Sequence, residues 1–101
     1  MIRHVVLMKL TDPSDGPEAQ RRLEALVGRV PALRTLAVGL DVLGTEASYD
    51  VSLVTTHDSL AALEDYQQDP VHQEFKDWVG PRLAARAVVD SEEPSGAGGE
   101  P

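Results

Sequence analysis

The chain has 101 residues, 42% of them hydrophobic but only 4% aromatic, with 17 acidic residues against 9 Lys and Arg and no cysteine. That length fits one domain around one aliphatic core, and so small a core gains from burial against a second copy. A net charge of −8 argues against nucleic acid or an anionic membrane surface as partner, since both need a basic patch, and the lack of cysteine removes disulfides, thiolate nucleophiles and cysteine metal sites.

Ile2 to Leu10 alternates as a strand. His4, Val6, Met8 and Leu10 share one face and Arg3, Val5, Leu7 and Lys9 the other. Both faces are apolar at the centre, so both are expected to be covered. The N-terminus enters this strand with no signal-peptide layout, and no apolar run approaches the ~20 residues of a membrane span, so a cytoplasmic protein is expected. Thr11 to Gly16 reads as a loop. Pro17 opens a helix with Ser14 or Asp15 as cap, its apolar stripe is Ala19, Leu23, Leu26, Val27 and Val30, and Pro31 stops it.

Leu33 to Leu43 reads as a second strand with an irregularity at Gly39, Gly44 to Ser48 as a turn, and Tyr49 to Thr56 as a third strand. In that third strand Val51 and Leu53 lie on one face and Val54 on the other. A second helix starts at Asp58 or Ser59 and carries Leu60, Leu63 and Tyr66 on one side. Asp69-Pro70 then marks a junction: Asp69 suits an N-cap and Pro70 the first helical position. His72 falls in the first turn of a third helix whose stripe is Val71, Phe75, Trp78 and Val79. Gly80-Pro81 ends it. Leu83 to Asp90 is a fourth strand, and Ser91 to Pro101, rich in Gly, Pro, Ser and Glu, reads as a disordered acidic tail. The domain is therefore expected to be 1–90, with 91–101 outside it.

The order β-α-β-β-α-β, its second helix split in two, is that of an α+β ferredoxin-like fold with a four-stranded antiparallel sheet and helices on one face. The other face, to which Val6, Met8 and Leu10 are assigned, needs a cover, and two such sheets closing on each other predict a homodimer.

The Tyr66–His72 junction brings a phenol and an imidazole together. A helix N-terminus disfavours an imidazolium, so His72 reads as a neutral base or as a pocket-edge side chain. Tyr66 reads as a donor to a substrate carbonyl or enolate, or as a core aromatic. Asp69 either orients the His72 ring or caps the helix. His4 reads as a core histidine or a pocket residue, and His57 as exposed. Trp78 is read as core or dimer contact, and Tyr49 and Asp50 as structural. The histidines lack metal-ligand spacing, and no phosphate loop, flavin fingerprint or Ser-His-Asp order is present.

The run Ile2-Arg3-His4-Val5-Val6-Leu7-Met8-Lys9, the turn ending Tyr49-Asp50, Ser59-Leu60-Ala61-Ala62-Leu63-Glu64-Asp65-Tyr66, Asp69-Pro70-Val71-His72 and Arg86-Ala87-Val88-Val89-Asp90 together resemble the stress-responsive A/B barrel domain (Dabb) family over nearly all of residues 1–90. The resemblance implies a dimeric α+β barrel. The family includes a cofactor-independent plant polyketide cyclase that performs an intramolecular aldol condensation. Its general-base histidine corresponds to His72, its substrate-positioning tyrosine to Tyr66 and a first-strand histidine to His4; Asp69-Pro70 stands where that cyclase has His-Pro. On this basis His72 and Tyr66 are the candidate catalytic pair, with His4, Val6, Met8, Asp69 and Phe75 lining a chamber for a small apolar or carbonyl ligand, and with no cofactor or metal. The alternatives are a non-catalytic ligand-binding or stress-response module and, third, a cofactor-free or heme-type monooxygenase of the related barrel fold.

Overall fold

A computed structural model of the chain describes residues 1–93; the expected acidic tail from residue 94 onward lies outside the described residues. Strand β1 (Ile2–Leu10) leads through a short 3-10 turn at Pro13–Asp15 to helix α1 (Gly16–Glu24). Strands β2 (Thr35–Leu40) and β3 (Val51–His57) follow, then helices α2 (Leu60–Gln68) and α3 (Pro70–Val79), a 3-10 turn at Gly80–Arg82, and strand β4 (Leu83–Glu92). The sheet is antiparallel throughout, in the order β2-β3-β1-β4. This is the ferredoxin-like plan read from the sequence. β4 runs to Glu92, two residues past the expected domain boundary, because Arg3 and Ile2 still pair with Ser91 and Glu92.

Helix ends follow their caps. The Ser59 hydroxyl accepts the Ala62 amide at 3.1 Å and starts α2. The Asp69 carboxylate accepts the Val71 amide at 2.8 Å, with Pro70 as the first residue of α3. α1 is shorter than its apolar stripe suggests. After Glu24 the chain continues in tighter turns, in which Leu26 bonds back to Leu23 and Val27 to Glu24, and Gly28 takes a left-handed φ of 83°. A residue free of a Cβ penalty reverses the chain there. Leu26 and Val30 still reach the core, but Val27 is exposed. Leu60 is likewise exposed, and β2 is shorter than expected, leaving Val42 and Leu43 in solvent. Gly39 introduces no irregularity: it sits in register opposite Ser52, and the one register shift lies at Lys9/Leu10 on the β4 side. There the Asp50 carboxylate accepts the Leu10 amide at 2.7 Å, the structural role expected of it.

The sheet faces exchange their expected partners. Ile2, His4, Val6, Met8 and Leu10 are all buried, and they lie under the helices with Leu23, Leu63, Tyr66, Phe75 and Val79. The face without helices carries the odd residues of β1 instead, with Val5 between Val54 and Val89, and Leu7 between Ser52 and Ala87. Ala37 extends this row beside Val54. The assignment of Val6, Met8 and Leu10 to the open face is thus corrected. A strand apolar on both faces does not say which face the helices cover; the connections decide it. Trp78 is half-buried at the rim of the helical layer, where the Arg22 and Arg82 guanidinium groups lie 4.6 Å and 4.5 Å from its ring centre. No helix among the described residues is long and apolar enough to cross a membrane.

Candidate functional site

Four rings meet between the sheet and α2–α3. Strand alternation sends His4 and His57 to the helix side, from β1 and β3. The helical repeat sends Tyr66 inward from the last turn of α2, and the Asp69-Pro70 junction turns the chain so that His72 stacks on it, with ring centres 4.0 Å apart and planes at 22°. His57 lies 4.7 Å from Tyr66, and His4 lies 6.1 Å from Tyr66 and 6.3 Å from His57.

Each imidazole is fixed by a different partner. His72 Nδ1 is 3.0 Å from the Tyr66 carbonyl oxygen. A carbonyl only accepts, so Nδ1 carries the proton and Nε2 keeps its lone pair. Burial disfavours the charged ring and pulls its pKa down to about 4, against a smaller opposing effect of that hydrogen bond. His72 is thus neutral at neutral pH, as expected, but desolvation rather than the helix terminus is the main cause. Asp69 does not orient the ring: its carboxylate is spent on the cap, and it does not line the pocket. His57 Nδ1 donates to the Ala32 carbonyl at 2.8 Å and Nε2 accepts from the Thr55 hydroxyl at 2.8 Å. Burial lowers its pKa as well. Fully buried and fully bonded, His57 is a structural histidine and not the exposed residue the sequence suggested. His4 Nδ1 is hydrogen-bonded to the Asp90 carboxylate, and the Gln67 amide nitrogen lies 3.4 Å from Nε2.

A cavity of about 300 Å³ opens beside this cluster, lined by His4, Val6, Met8, Leu53, Gln67, His72, Phe75, Lys76, Val79, Gly80, Leu83 and Arg86. It lies at the small end of the range for ligand pockets. His72, His4, Val6, Met8 and Phe75 line it; Asp69 and Tyr66 do not. Tyr66 sits behind His72, with no exposed surface and a hydroxyl that has no hydrogen-bond partner among the described residues. Burial pushes its pKa up, so the phenol stays protonated. Gln67, Lys76 and Arg86 were not singled out from the sequence. Lys76 was legible as the residue one helical turn after His72, whereas the place of Arg86, opposite Met8, depends on which sheet face the helices cover. A larger depression of about 730 Å³ under the loop holding Val42 and Leu43 contains none of the histidines or tyrosines, and so offers no comparable chemistry.

Solved structures share this architecture. A dimeric ferredoxin-like protein of unknown function from Thermobifida fusca is 27% identical over 91% of this chain and 90% of its own, with a TM-score of 0.80. A dimeric protein of unknown function and ferredoxin-like fold from Bacteroides fragilis is 25% identical over 91% and 95%, with a TM-score of 0.82. A hydroxynitrile lyase from Passiflora edulis, 16% identical over 92% and 93% with a TM-score of 0.78, shares the fold. No curated protein matches the chain. The family model described as Stress responsive A/B Barrel Domain matches residues 2–93, essentially the whole described fold, and the chain belongs to that family, Dabb.

Proposed function

We propose that this protein is a cytoplasmic homodimer whose helix-side pocket binds a small carbonyl compound, and that His72 removes a proton next to that carbonyl without a cofactor. The observation that carries the reading is the His72 ring: neutral, locked as the Nδ1–H tautomer by the Tyr66 carbonyl, and part of the pocket wall. Nε2 has no hydrogen-bond partner among the described residues, so it is available to a ligand proton. The C–H electron pair passes into the enolate as the proton moves to Nε2. The carbanion attacks a second carbonyl of the same molecule, and the resulting alkoxide takes the proton back: an aldol-type ring closure, of the kind the family resemblance suggests. Because burial lowers the pKa of the imidazolium, its return of the proton to the alkoxide is favoured. Gln67 supplies an N–H donor for the developing oxyanion from the same lining.

Tyr66 takes a different part in this reading from the oxyanion donor expected from the sequence. It is a positioning residue that sets the His72 tautomer with its carbonyl and the ring plane with its own ring. The homodimer is supported by the apolar row Ala37, Val54, Val5 and Val89 on the open sheet face and by the dimeric state of the two structural neighbours.

Deuterium wash-in at the carbon between the carbonyls of a β-diketone such as nonane-2,4-dione, followed by NMR in D2O, tests the chemistry without knowledge of the natural substrate. Wild-type protein is expected to accelerate exchange, and His72→Gln to lose about 10²-fold or more of that acceleration. Exchange no faster than in buffer, or unchanged in His72→Gln, overturns the proposal. Tyr66→Leu, which keeps the carbonyl but loses the stack, is expected to move the acid limb of the exchange–pH profile. The sealed Tyr66 hydroxyl favours a second reading, a module that binds its ligand and does no proton chemistry; ligand binding in the absence of wash-in distinguishes it.

A further inference from the structure

Acids outnumber Lys and Arg by 17 to 9 in this chain, and most of the arginines have a carboxylate neighbour: Arg3 with Glu93, Arg21 and Arg22 with Glu18, Arg34 with Asp58, and Arg82 with Asp15. Lys9, Arg29, Lys76 and Arg86 have none within 4 Å among the described residues, and of these four Lys76 and Arg86 both line the 300 Å³ pocket. They arrive there from different elements. Lys76 lies one turn beyond His72 on α3, and Arg86 pairs with Met8 across β1–β4 and so shares its helix-side face. No Asp or Glu lines the cavity. Asp69 and Asp90 are engaged by the Val71 amide and by His4.

Two like charges at one cavity mouth, in a chain rich in acids that could have neutralised them, is an arrangement that waits for an anion. The Lys76 ammonium is half-buried and uses one N–H on the Gln67 carbonyl at 2.6 Å, which leaves two donors. Burial and then the nearby Arg86 charge both lower its pKa, so an anion between the two relieves both. The Arg86 fork makes no hydrogen bond among the described residues. Apart from the pair, the two histidines and Gln67, the wall is apolar, with Val6, Met8, Leu53, Phe75, Val79 and Leu83. The negative net charge of the chain does not cancel this local field, because exposed charges are screened beyond roughly 8 Å at physiological ionic strength.

We propose that the pocket is built for a small carboxylate-bearing molecule with an apolar body, its carboxylate held between Lys76 and Arg86 and its body laid along Met8, Leu53 and Phe75 toward His72. This deepens the functional reading above and rests on its pocket, not on its chemistry. Held this way, the acid end of a substrate is anchored at the mouth and a carbonyl further along the body is presented to Nε2.

Hexanoate and hexanamide share one body and differ in charge, so titrating each against the labelled full-length protein by NMR, with the Met8 methyl and Leu53 as reporters, tests the assignment. Hexanoate is expected to bind about tenfold more tightly at low salt, with the preference falling as NaCl is raised and vanishing in the Lys76→Met/Arg86→Met double variant while hexanamide binding persists. If the double variant fails to give a folded spectrum, Arg86→Met alone and the salt series on wild type carry the test. Equal binding of the two probes, a preference insensitive to salt, or one that survives loss of the cations overturns the carboxylate assignment and leaves the pocket standing. If neither probe shifts the reporters, the pocket reading itself is lost and this inference with it.

Discussion

Tyr66→Phe removes one atom from the best-buried aromatic of the core, and the structure makes the sign of its effect unusual. Tyr66 has no exposed surface and its hydroxyl has no partner among the described residues. A hydroxyl buried without a hydrogen bond costs about 1–3 kcal/mol in mutational data. The ring itself, stacked 4.0 Å from His72 and 4.7 Å from His57 between centres, is untouched by the change, as is the carbonyl that holds His72 Nδ1. The oxygen takes with it only the weak dispersion attraction of a single atom. The variant is therefore expected to gain about 1 kcal/mol, or an increase in Tm of roughly 4–8 °C for a domain of this size. Urea denaturation at pH 7 with an unchanged m-value measures it. A loss of about 1 kcal/mol or more refutes the reasoning, since it shows that the hydroxyl is bonded in solution. The deuterium wash-in rate of the same variant is expected to stay within about twofold of wild type, because the sealed hydroxyl does not line the pocket. A large drop there would return the phenol to the reaction.

Acid should weaken the fold through His72. Its pKa is depressed to about 4 in the folded state against an ordinary value of 6.5, so between pH 6.5 and about 4 the unfolded chain binds the proton first and stability falls as pH falls, by about 2 kcal/mol after allowance for solvent screening. Urea unfolding at pH 7, 5.5 and 4 should show the slope, and His72→Gln should flatten it; an equal slope in the variant would show that other groups carry it. Gly28→Ala forces a Cβ onto a left-handed φ of 83° and should cost about 1–2 kcal/mol, whereas Gly80→Ala, helical with open space around its Cβ position, should be neutral or slightly stabilising; similar denaturation midpoints for the two would contradict this account. Val5→Lys places a charge at the centre of the open sheet face, between Val54 and Val89, and should convert the proposed dimer to monomer in sedimentation velocity at micromolar concentration. A monomeric wild type, or a dimeric variant, would remove that face as the interface.

Much of the fold was legible because each element carries its own signal. Ser59, Asp69 and Pro70 announce helix starts by chemistry that needs no tertiary partner, and the β-branched and apolar runs of β1 and β3 mark them as strands. What was not legible depends on neighbours. The true end of α1 lies at Glu24 although the apolar stripe runs to Val30, because Leu26 and Val30 can be buried from a chain of tight turns as well as from a helix. Which face of β1 the helices cover is set by the crossovers, and Val5 and Leu7 are as apolar as Val6 and Met8 when read as residue types alone.

The candidate site divides along the same line. His72 and Tyr66 were found because the Asp-Pro junction lies between them in sequence. His57 was misplaced although its signal was present: it is two and four residues beyond Thr55 and Leu53, so extending the strand by one residue puts it on their buried face. Its pairing with Ile2 then settles the end of the sheet. Whether a buried histidine is a structural strut or an available base depends on what holds its second nitrogen, and no spacing reports that. In His57 the Ala32 carbonyl and Thr55 hydroxyl take both nitrogens. In His72 only Nδ1 is taken, and the other nitrogen is left to a pocket wall shared with Lys76 and Arg86. The two rings have the same chemistry and nearly the same burial. The difference between scaffold and candidate base is therefore one hydrogen bond, made by one and left open by the other.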